Sequence, residues 1–159
     1  MEPRIEYQKT LPPEALRAFY QVEHAVRNSG LDPKLLHLIK MRASQINGCA
    51  FCLDMHSKDA RLAGETEQRL YALNAWRETP FYTDRERAAL EWAEAVTLIS
   101  RDQAPDNLYE KTRQFFNESE FAALTLAVVM INNWNRIAIS FRSVPGSYEP
   151  PAAAKKSQA

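Results

Sequence analysis

Two cysteines and a histidine have a spacing that fits thiol redox chemistry. Cys49 and Cys52 are the only cysteines of the chain and form a C-x-x-C unit, and His56 follows four residues after Cys52. In a cytosolic protein such a pair indicates redox chemistry or half of a metal site rather than a structural disulfide. Residues four apart share one face of a helix, so the imidazole can act as a base beside a thiol.

The cysteine pair is expected at the start of a helix. Asn47 and Gly48 end one helical pattern, and Leu53, His56 and Ala60 continue with helical spacing after the cysteines. Unpaired backbone N–H groups and the positive end of the helix dipole stabilise an anion at this position, which lowers the pKa of a thiol. One thiolate can then attack a peroxide, and the second can condense the resulting sulfenic acid into a disulfide.

The rest of the chain has the periodicity of helices. Apolar residues recur at intervals of three or four, which predicts an all-α fold of about six or seven helices. One helix is expected from Thr66 to about Arg77, a linker over residues 101–104, and a long final helix capped by Ser119 and running from about residue 120 to 141. That last helix is apolar almost all round, which predicts a place at the centre of the fold or at a subunit interface.

Length and charge limit the remaining possibilities. With 159 residues, 45% of them hydrophobic, the chain can form one domain over residues 1–149, followed by a flexible tail over residues 150–159. The 20 basic residues are balanced by 20 acidic ones, which disfavours binding to nucleic acid or to an anionic membrane. The N-terminus lacks the apolar stretch of a signal peptide, and no uncharged apolar run is long enough to span a bilayer as a helix. We therefore expect a cytoplasmic protein.

Other interpretations of the same residues stay open. A Zn²⁺ ion could be bound by Cys49, Cys52, His56 and a further ligand such as His37, although the chain has no second C-x-x-C unit. The two thiols could also be small core residues. A non-enzymatic alternative is a thiol redox sensor or disulfide-exchange protein. The leading hypothesis, a peroxide reductase, requires neither a metal nor a cofactor.

Polar residues near the motif could be structural or functional. Asn132 and Asn135 lie in the apolar final helix and are expected to make structural hydrogen bonds or subunit contacts. A second group leads directly into the C-x-x-C unit and could orient a water molecule near the thiols or cap the preceding helix. These residues are Arg42, Ser44, Gln45 and Asn47.

A longer segment around the cysteines resembles a known family. Leu36 to His56, LHLIKMRASQINGCAFCLDMH, is similar to the signature of the AhpD-like alkylhydroperoxidases within the carboxymuconolactone decarboxylase family. The resemblance extends over about residues 31–138 and includes TDRERAALEWAEAVT from Thr83 and LTLAVVMINNWNRIAIS from Leu124. It implies an AhpD-like helical bundle and a homo-oligomer built on trimers, often a hexamer.

The resemblance also implies an activity and roles for individual residues. The activity is the reduction of an organic hydroperoxide through the cysteine pair, an antioxidant reaction in which a thiol reductant, in the best-understood members a lipoylated protein, recharges the pair. By position, Cys49 and Cys52 match the redox pair, with Cys52 the expected attacker, and His56 matches the histidine of a proton relay. The family also contains decarboxylases that act on a lactone, but these do not use such a cysteine pair.

The chain departs from the family pattern at two places. The family usually has a glutamate of the proton relay twelve residues before the first cysteine, where this chain has His37. An imidazole can still accept and donate a proton near neutral pH, so His37 is included among the candidate catalytic residues. Ala50 and Phe51 stand between the cysteines and predict an apolar pocket, which suits an organic hydroperoxide.

Overall fold

The computed structural model describes residues 1–151, and these residues form helices and connecting segments with no strand among them. Nine α-helices occur in this part of the chain, seven of them six residues or longer, which confirms the predicted all-α class. A 3₁₀ helix, Leu73–Glu78, lies between the fifth and the sixth. The α-helices are α1 (Tyr7–Thr10), α2 (Pro13–Arg27), α3 (Pro33–Asn47), α4 (Ala50–Leu62), α5 (Glu67–Ala72), α6 (Asp84–Thr97), α7 (Ile99–Asp102), α8 (Asp106–Arg113) and α9 (Glu118–Phe141).

Helices α3 and α9 form the centre of the bundle. α9 packs against α2, α3, α4, α6 and α8, and α3 packs against α4 and α6 as well. Leu38 and Ile39 of α3 and Leu124 and Val128 of α9 are completely buried. Length and composition alone would allow α9 to cross a membrane, but here it is a core helix of the bundle. The predicted central position of this helix is confirmed.

The start of α9 differs from the sequence prediction. Asn117, not Ser119, is the N-cap, and its Oδ1 accepts a hydrogen bond of 2.9 Å from the N–H of Glu120. The Glu120 carboxylate in turn accepts a hydrogen bond of 3.0 Å from the N–H of Asn117. This capping box satisfies two backbone donors at once, so the helix begins before Ser119, which lies in the first turn.

Two other boundaries also differ. The helix expected from Thr66 to about Arg77 ends at Ala72, and the 3₁₀ helix that follows is interrupted at Ala75, where φ is −114° and ψ is 32°. This geometry buries Trp76, whose indole N–H donates to the Glu94 carboxylate at 2.8 Å. Part of the segment expected as a linker over residues 101–104 belongs to α7. The expected tail falls largely on residues 152–159, outside the described part of the chain.

The segment after α9 returns across the outer face of α4. The N–H of Gly146 donates to the Asp54 carboxylate at 2.9 Å, and the Lys58 ammonium donates to the carbonyl oxygen of Tyr148, also at 2.9 Å. The Tyr148 hydroxyl donates to Asp59 at 2.7 Å. This segment thereby adds an aromatic side chain to the surroundings of the cysteine pair.

Candidate active site

A glycine in the left-handed conformation separates the two helices that carry the site. Gly48 has φ 71° and ψ 32° and ends α3, and Cys49 is the N-cap residue of α4. Glycine adopts this conformation without the strain that a Cβ introduces. The N–H of Cys49 donates back to the carbonyl oxygen of Ser44 at 3.0 Å, which fixes the turn. The prediction that the C-x-x-C unit opens a helix is confirmed.

The two cysteines are joined by a disulfide bond. Their Cα atoms lie 5.3 Å apart, and each residue is only 1% exposed. The sulfur of Cys49 also accepts a hydrogen bond of 3.3 Å from the N–H of Cys52. The structure therefore contains the pair in its oxidised form, in a largely apolar setting with Ala43, Ile131 and Ala138.

His56 lies one turn after Cys52 on α4 and is buried, with 6% of its surface exposed. Burial holds the pKa of the His56 imidazole well below its ordinary value, and the positive charge of Lys40 lowers it further. The imidazole is consequently neutral at pH 7, the form that accepts a proton. Its Nδ1 is buried and has no hydrogen-bond partner within the described residues.

His37 reaches the same place from α3. The centroids of the His37 and His56 rings are 6.0 Å apart, so the two helices bring together both predicted histidines. Burial lowers the pKa of the His37 imidazole, and the negative charge of Asp59 opposes that shift. The Nδ1 of His37 is also buried without a hydrogen-bond partner in the described part of the chain.

Asp59 completes this group and was not predicted. It follows His56 by three residues on α4, and its carboxylate and one ring nitrogen from each histidine lie within 4.8 Å of one another. Cys52, His56 and Asp59 are four and then three residues apart, which places them on one face of a helix. The sequence therefore did indicate that Asp59 lies near His56. Tyr148, which donates to Asp59, carries no such signal because it lies beyond the last helix.

A buried ion pair lies beside the histidines. Lys40 of α3 is 5% exposed and pairs with the carboxylate of Glu23 on α2. A buried ammonium requires such a partner, because transferring an unpaired charge from water into the protein interior has a large free-energy cost. The pair places an ammonium near both imidazoles while keeping the local charge balanced.

Cys52 and His56 both line a cavity of about 330 Å³. Its walls are mainly aromatic and apolar, and Trp134 of α9 contacts Phe19 and Tyr20 of α2 there, with ring centroids 5.4 and 5.5 Å apart. Trp134 therefore forms part of the cavity wall. The lining residues are Tyr7, Gln8, Tyr20, Glu23, Arg27, Phe51, Cys52, Met55, His56, Asp59, Trp134, Ala138 and Tyr148.

Cys49 lines a different and smaller cavity of about 160 Å³ on the other side of the disulfide. Phe51 and Ala138 border both cavities and separate them. None of the three histidines of the chain lines this second space. The lining residues are Met1, Gly48, Cys49, Ala50, Phe51, Ala138, Ile139, Arg142, Ser143 and Pro145.

The polar residues that precede the motif serve the scaffold. Arg42 pairs with the Glu94 carboxylate at 2.6 Å, and the same guanidinium donates to Gln45 at 3.2 Å. Other side chains join α3 to α9: the amide of Asn47 donates to Asn132 and Asn135, and the amide of Asn135 donates to the hydroxyl of Ser44. These contacts confirm that Asn132 and Asn135 make structural hydrogen bonds. They also hold the end of α3 that precedes Cys49 against α9.

Known proteins share both the sequence and the fold. A model of the carboxymuconolactone decarboxylase family matches residues 13–95, more than half of the chain. The uncharacterized protein YdfG of Bacillus subtilis is 44% identical over 140 residues, which cover 88% of this chain and 95% of YdfG.

Two solved structures extend the comparison. ATU0492 of Agrobacterium tumefaciens, a protein of unknown function provisionally assigned as the antioxidant defence protein AhpD, is 47% identical and superposes with a TM-score of 0.88 over 92% of this chain and 100% of its own. An uncharacterized peroxidase-related protein from Ralstonia eutropha, with an alkylhydroperoxidase AhpD core, is 20% identical with a TM-score of 0.77 and shares the fold over 91% of this chain and 77% of its own. On these grounds the chain belongs to the carboxymuconolactone decarboxylase family, and within it to the AhpD-like proteins.

Proposed function

We propose that the protein is a cysteine-based alkyl hydroperoxide reductase in which Cys52 attacks the peroxide and Cys49 resolves the product. One observation carries the proposal: Cys52 and the neutral His56 line the same cavity of about 330 Å³, whereas Cys49 lines the other side of the disulfide. A thiol beside a neutral base is the minimal arrangement for an activated nucleophile.

The reaction has two covalent steps. The thiolate of Cys52 attacks the terminal oxygen of the hydroperoxide, so that an S–O bond forms while the O–O bond breaks and an alkoxide leaves. The sulfur is oxidised by two electrons to a sulfenic acid, and the alkoxide takes up a proton and leaves as an alcohol. The thiolate of Cys49 then attacks the sulfenic sulfur, the S–S bond forms while the S–O bond breaks, and the hydroxide takes up the proton that the Cys49 thiol has lost and leaves as water.

His56 supplies the proton transfers of the first step. Its neutral imidazole takes the proton of the Cys52 thiol and returns one to the departing alkoxide, and His37 and Asp59 provide further proton-accepting groups beside it. In this arrangement His37 occupies the place of the family's usual glutamate, and the carboxylate comes from Asp59 of α4 instead.

A thiol reductant closes the cycle. Its thiolate attacks the disulfide, a mixed disulfide forms, and a second thiol of the reductant releases the reduced pair, so two electrons enter for each peroxide consumed. A dithiol such as the lipoyl group of a lipoylated protein fits this stoichiometry. No metal and no cofactor is needed.

The lining of the larger cavity supports an organic substrate. Aromatic and other apolar side chains form most of its wall, and they favour an alkyl or aryl group over a small hydrophilic peroxide. We therefore propose an organic hydroperoxide as the substrate.

The exposed face of α9 supports a homo-oligomer. Ala122, Leu126 and Val129 lie at helical spacing on its outer face, and Leu126 and Val129 are 40% and 41% exposed. An apolar stripe of this kind favours coverage by a second copy of the chain, in a trimer or hexamer. We also propose a cytoplasmic location, with no nucleic-acid or membrane partner.

Turnover tests the function most simply. Purified protein is mixed with excess cumene hydroperoxide and dihydrolipoamide, and the loss of peroxide per chain is measured. An enzyme consumes many equivalents, whereas a redox sensor forms one disulfide per chain and stops. Consumption of a lactone substrate with release of CO₂, and none of peroxide, would instead favour the decarboxylase alternative.

A further inference from the structure

Three side chains beside the disulfide form a group of the type that binds metal ions. His37 comes from α3, and His56 and Asp59 come from α4, with their potential ligand atoms within 4.8 Å of one another. Donor atoms at about 2.0–2.2 Å from a tetrahedrally coordinated zinc ion lie about 3.3–3.6 Å from one another. Side-chain rotations that move each donor atom by about 1 Å therefore suffice to place all three on one ion.

The two imidazoles are not otherwise engaged. The Nδ1 atoms of His37 and His56 are buried, and neither has a hydrogen-bond partner among residues 1–151. Buried polar atoms ordinarily have partners, and a ligating histidine typically donates its second ring nitrogen to another group or to water. The rings are therefore free to coordinate an ion that enters from the cavity next to Cys52.

The carboxylate has the support that metal ligands usually have. The Tyr148 hydroxyl donates to one oxygen of Asp59 at 2.7 Å, which orients the carboxylate and leaves its second oxygen for an ion. The positive charge of Lys40 repels a bound cation only weakly, because the Glu23 carboxylate pairs with the ammonium. Arg27, which also lines the cavity, is exposed to solvent and screened by it.

We propose that His37, His56 and Asp59 form a binding site for a divalent transition-metal ion such as Zn²⁺. Two histidines and one carboxylate are a common ligand set for such ions, and they leave coordination positions open toward the cavity. The site differs from one built on the thiols because it uses neither cysteine. A bound ion occupies His56 and so inhibits peroxide reduction; the inhibition rests on the proposed function, but the binding does not.

Binding of Zn²⁺ to oxidised protein tests the site. Tag-free protein with the disulfide intact is freed of metal with a chelator, and the binding of Zn²⁺ is measured by titration calorimetry. We expect one ion per chain. Co²⁺ used as a spectroscopic probe should give d–d bands without the thiolate charge-transfer band of a cysteine ligand.

Matched variants locate the ligands. His37→Ala and Asp59→Asn should each weaken Zn²⁺ binding by at least about 100-fold, and Tyr148→Phe, which loses only the supporting hydrogen bond, by about 10-fold. His24→Ala removes an exposed histidine of α2 and should leave binding unchanged. Far-UV circular dichroism verifies that each variant is folded, and Asp59→Asn preserves side-chain shape.

Three results would overturn the site. The first is the absence of stoichiometric Zn²⁺ binding by oxidised wild type. The second is binding that survives both His37→Ala and Asp59→Asn. The third is binding that requires reduced thiols and disappears in the Cys49→Ser, Cys52→Ser double variant. Peroxidase activity measured with a chelator present is independent of these results, so failure of the metal site and failure of the proposed function are separate outcomes.

Discussion

The two sides of the disulfide offer different chemistry. On the side of Cys52, a cavity of about 330 Å³ contains His56, Asp59 and an aromatic wall, with His37 directly behind. On the side of Cys49, a cavity of about 160 Å³ has no histidine or carboxylate side chain in its lining. Side chains that can accept or donate a proton near neutral pH therefore line the cavity at Cys52 but not the cavity at Cys49. Two thiols three residues apart can thus face different surroundings, because a helix start directs them to opposite sides.

The largest effect should come from exchanging the two thiols for hydroxyls. Cys52→Ser should lower steady-state peroxide reduction by at least about 10³-fold, since it removes the nucleophile itself. Cys49→Ser should also stop turnover but keep a first, single-turnover reaction with peroxide. Rapid-mixing measurements of peroxide loss distinguish the two. Equal single-turnover rates in both variants would remove the distinction between the two sides.

The next effect concerns the base on the Cys52 side. His56→Ala should slow the oxidation of Cys52 by about 10²-fold or more, the usual contribution of a positioned acid–base group. His24→Ala is the matched control and should react at the wild-type rate. The oxidation of reduced protein by one equivalent of hydroperoxide, followed by intact mass, supplies the rate. An unchanged rate in His56→Ala would exclude it from the proton transfer.

The pKa of His56 provides a pH-dependent test. In oxidised, metal-free protein, the NMR titration of the His56 ring should have its midpoint well below the ordinary pKa of 6.5, because burial disfavours the charged form. The unfolded chain binds this proton first as the pH falls below 6.5, so protonation of this group lowers the stability of the fold there. A midpoint at or above 6.5 would contradict the neutral base.

Narrowing each cavity should affect one half of the cycle. Met55→Trp on the Cys52 side should slow oxidation by a bulky hydroperoxide, and Ser143→Trp on the Cys49 side should slow re-reduction by a protein thiol, each by about 10-fold or about 1.4 kcal/mol. Both side chains are half-buried at the edge of their cavity. The two half-reactions are followed separately by intrinsic fluorescence. Equal effects of both variants on both half-reactions would show that the sides are not independent.

The smallest effect should come from the turn that the two sides share. Gly48→Ala forces a Cβ into the left-handed conformation and should cost about 1–2 kcal/mol of unfolding free energy in urea denaturation. Gly48→Asn should cost less, since asparagine tolerates this conformation better. No atom lies within 4 Å of the added Cβ, so steric crowding does not contribute. Equal losses in the two variants would contradict a conformational cause.

Much of this arrangement could be predicted from the sequence, and the rest depends on contacts between distant segments. Local spacing gave the all-α class, the helix start at Cys49 and the position of His56 on the same helix. His37 was predicted as a catalytic residue only through the resemblance, because nothing local indicates that α3 turns it toward α4. Tyr148 lies about ninety residues from Asp59, and no periodic pattern connects them. The position of Trp134 in an apolar helix indicates only a core residue. Its place in the cavity wall depends on how α2 packs against α9.

The most direct test of the proposed roles of Cys49 and Cys52 is to identify the sulfur that peroxide oxidises. Reduced Cys49→Ser and Cys52→Ser proteins are treated with one equivalent of cumene hydroperoxide in the presence of dimedone, and the adduct is mapped by tandem mass spectrometry. If Cys52 is the attacking cysteine, a sulfenic-acid adduct forms on Cys52 in the Cys49→Ser variant and little or none forms on Cys49 in the Cys52→Ser variant. A rapid adduct on Cys49, with none on Cys52, would contradict these roles.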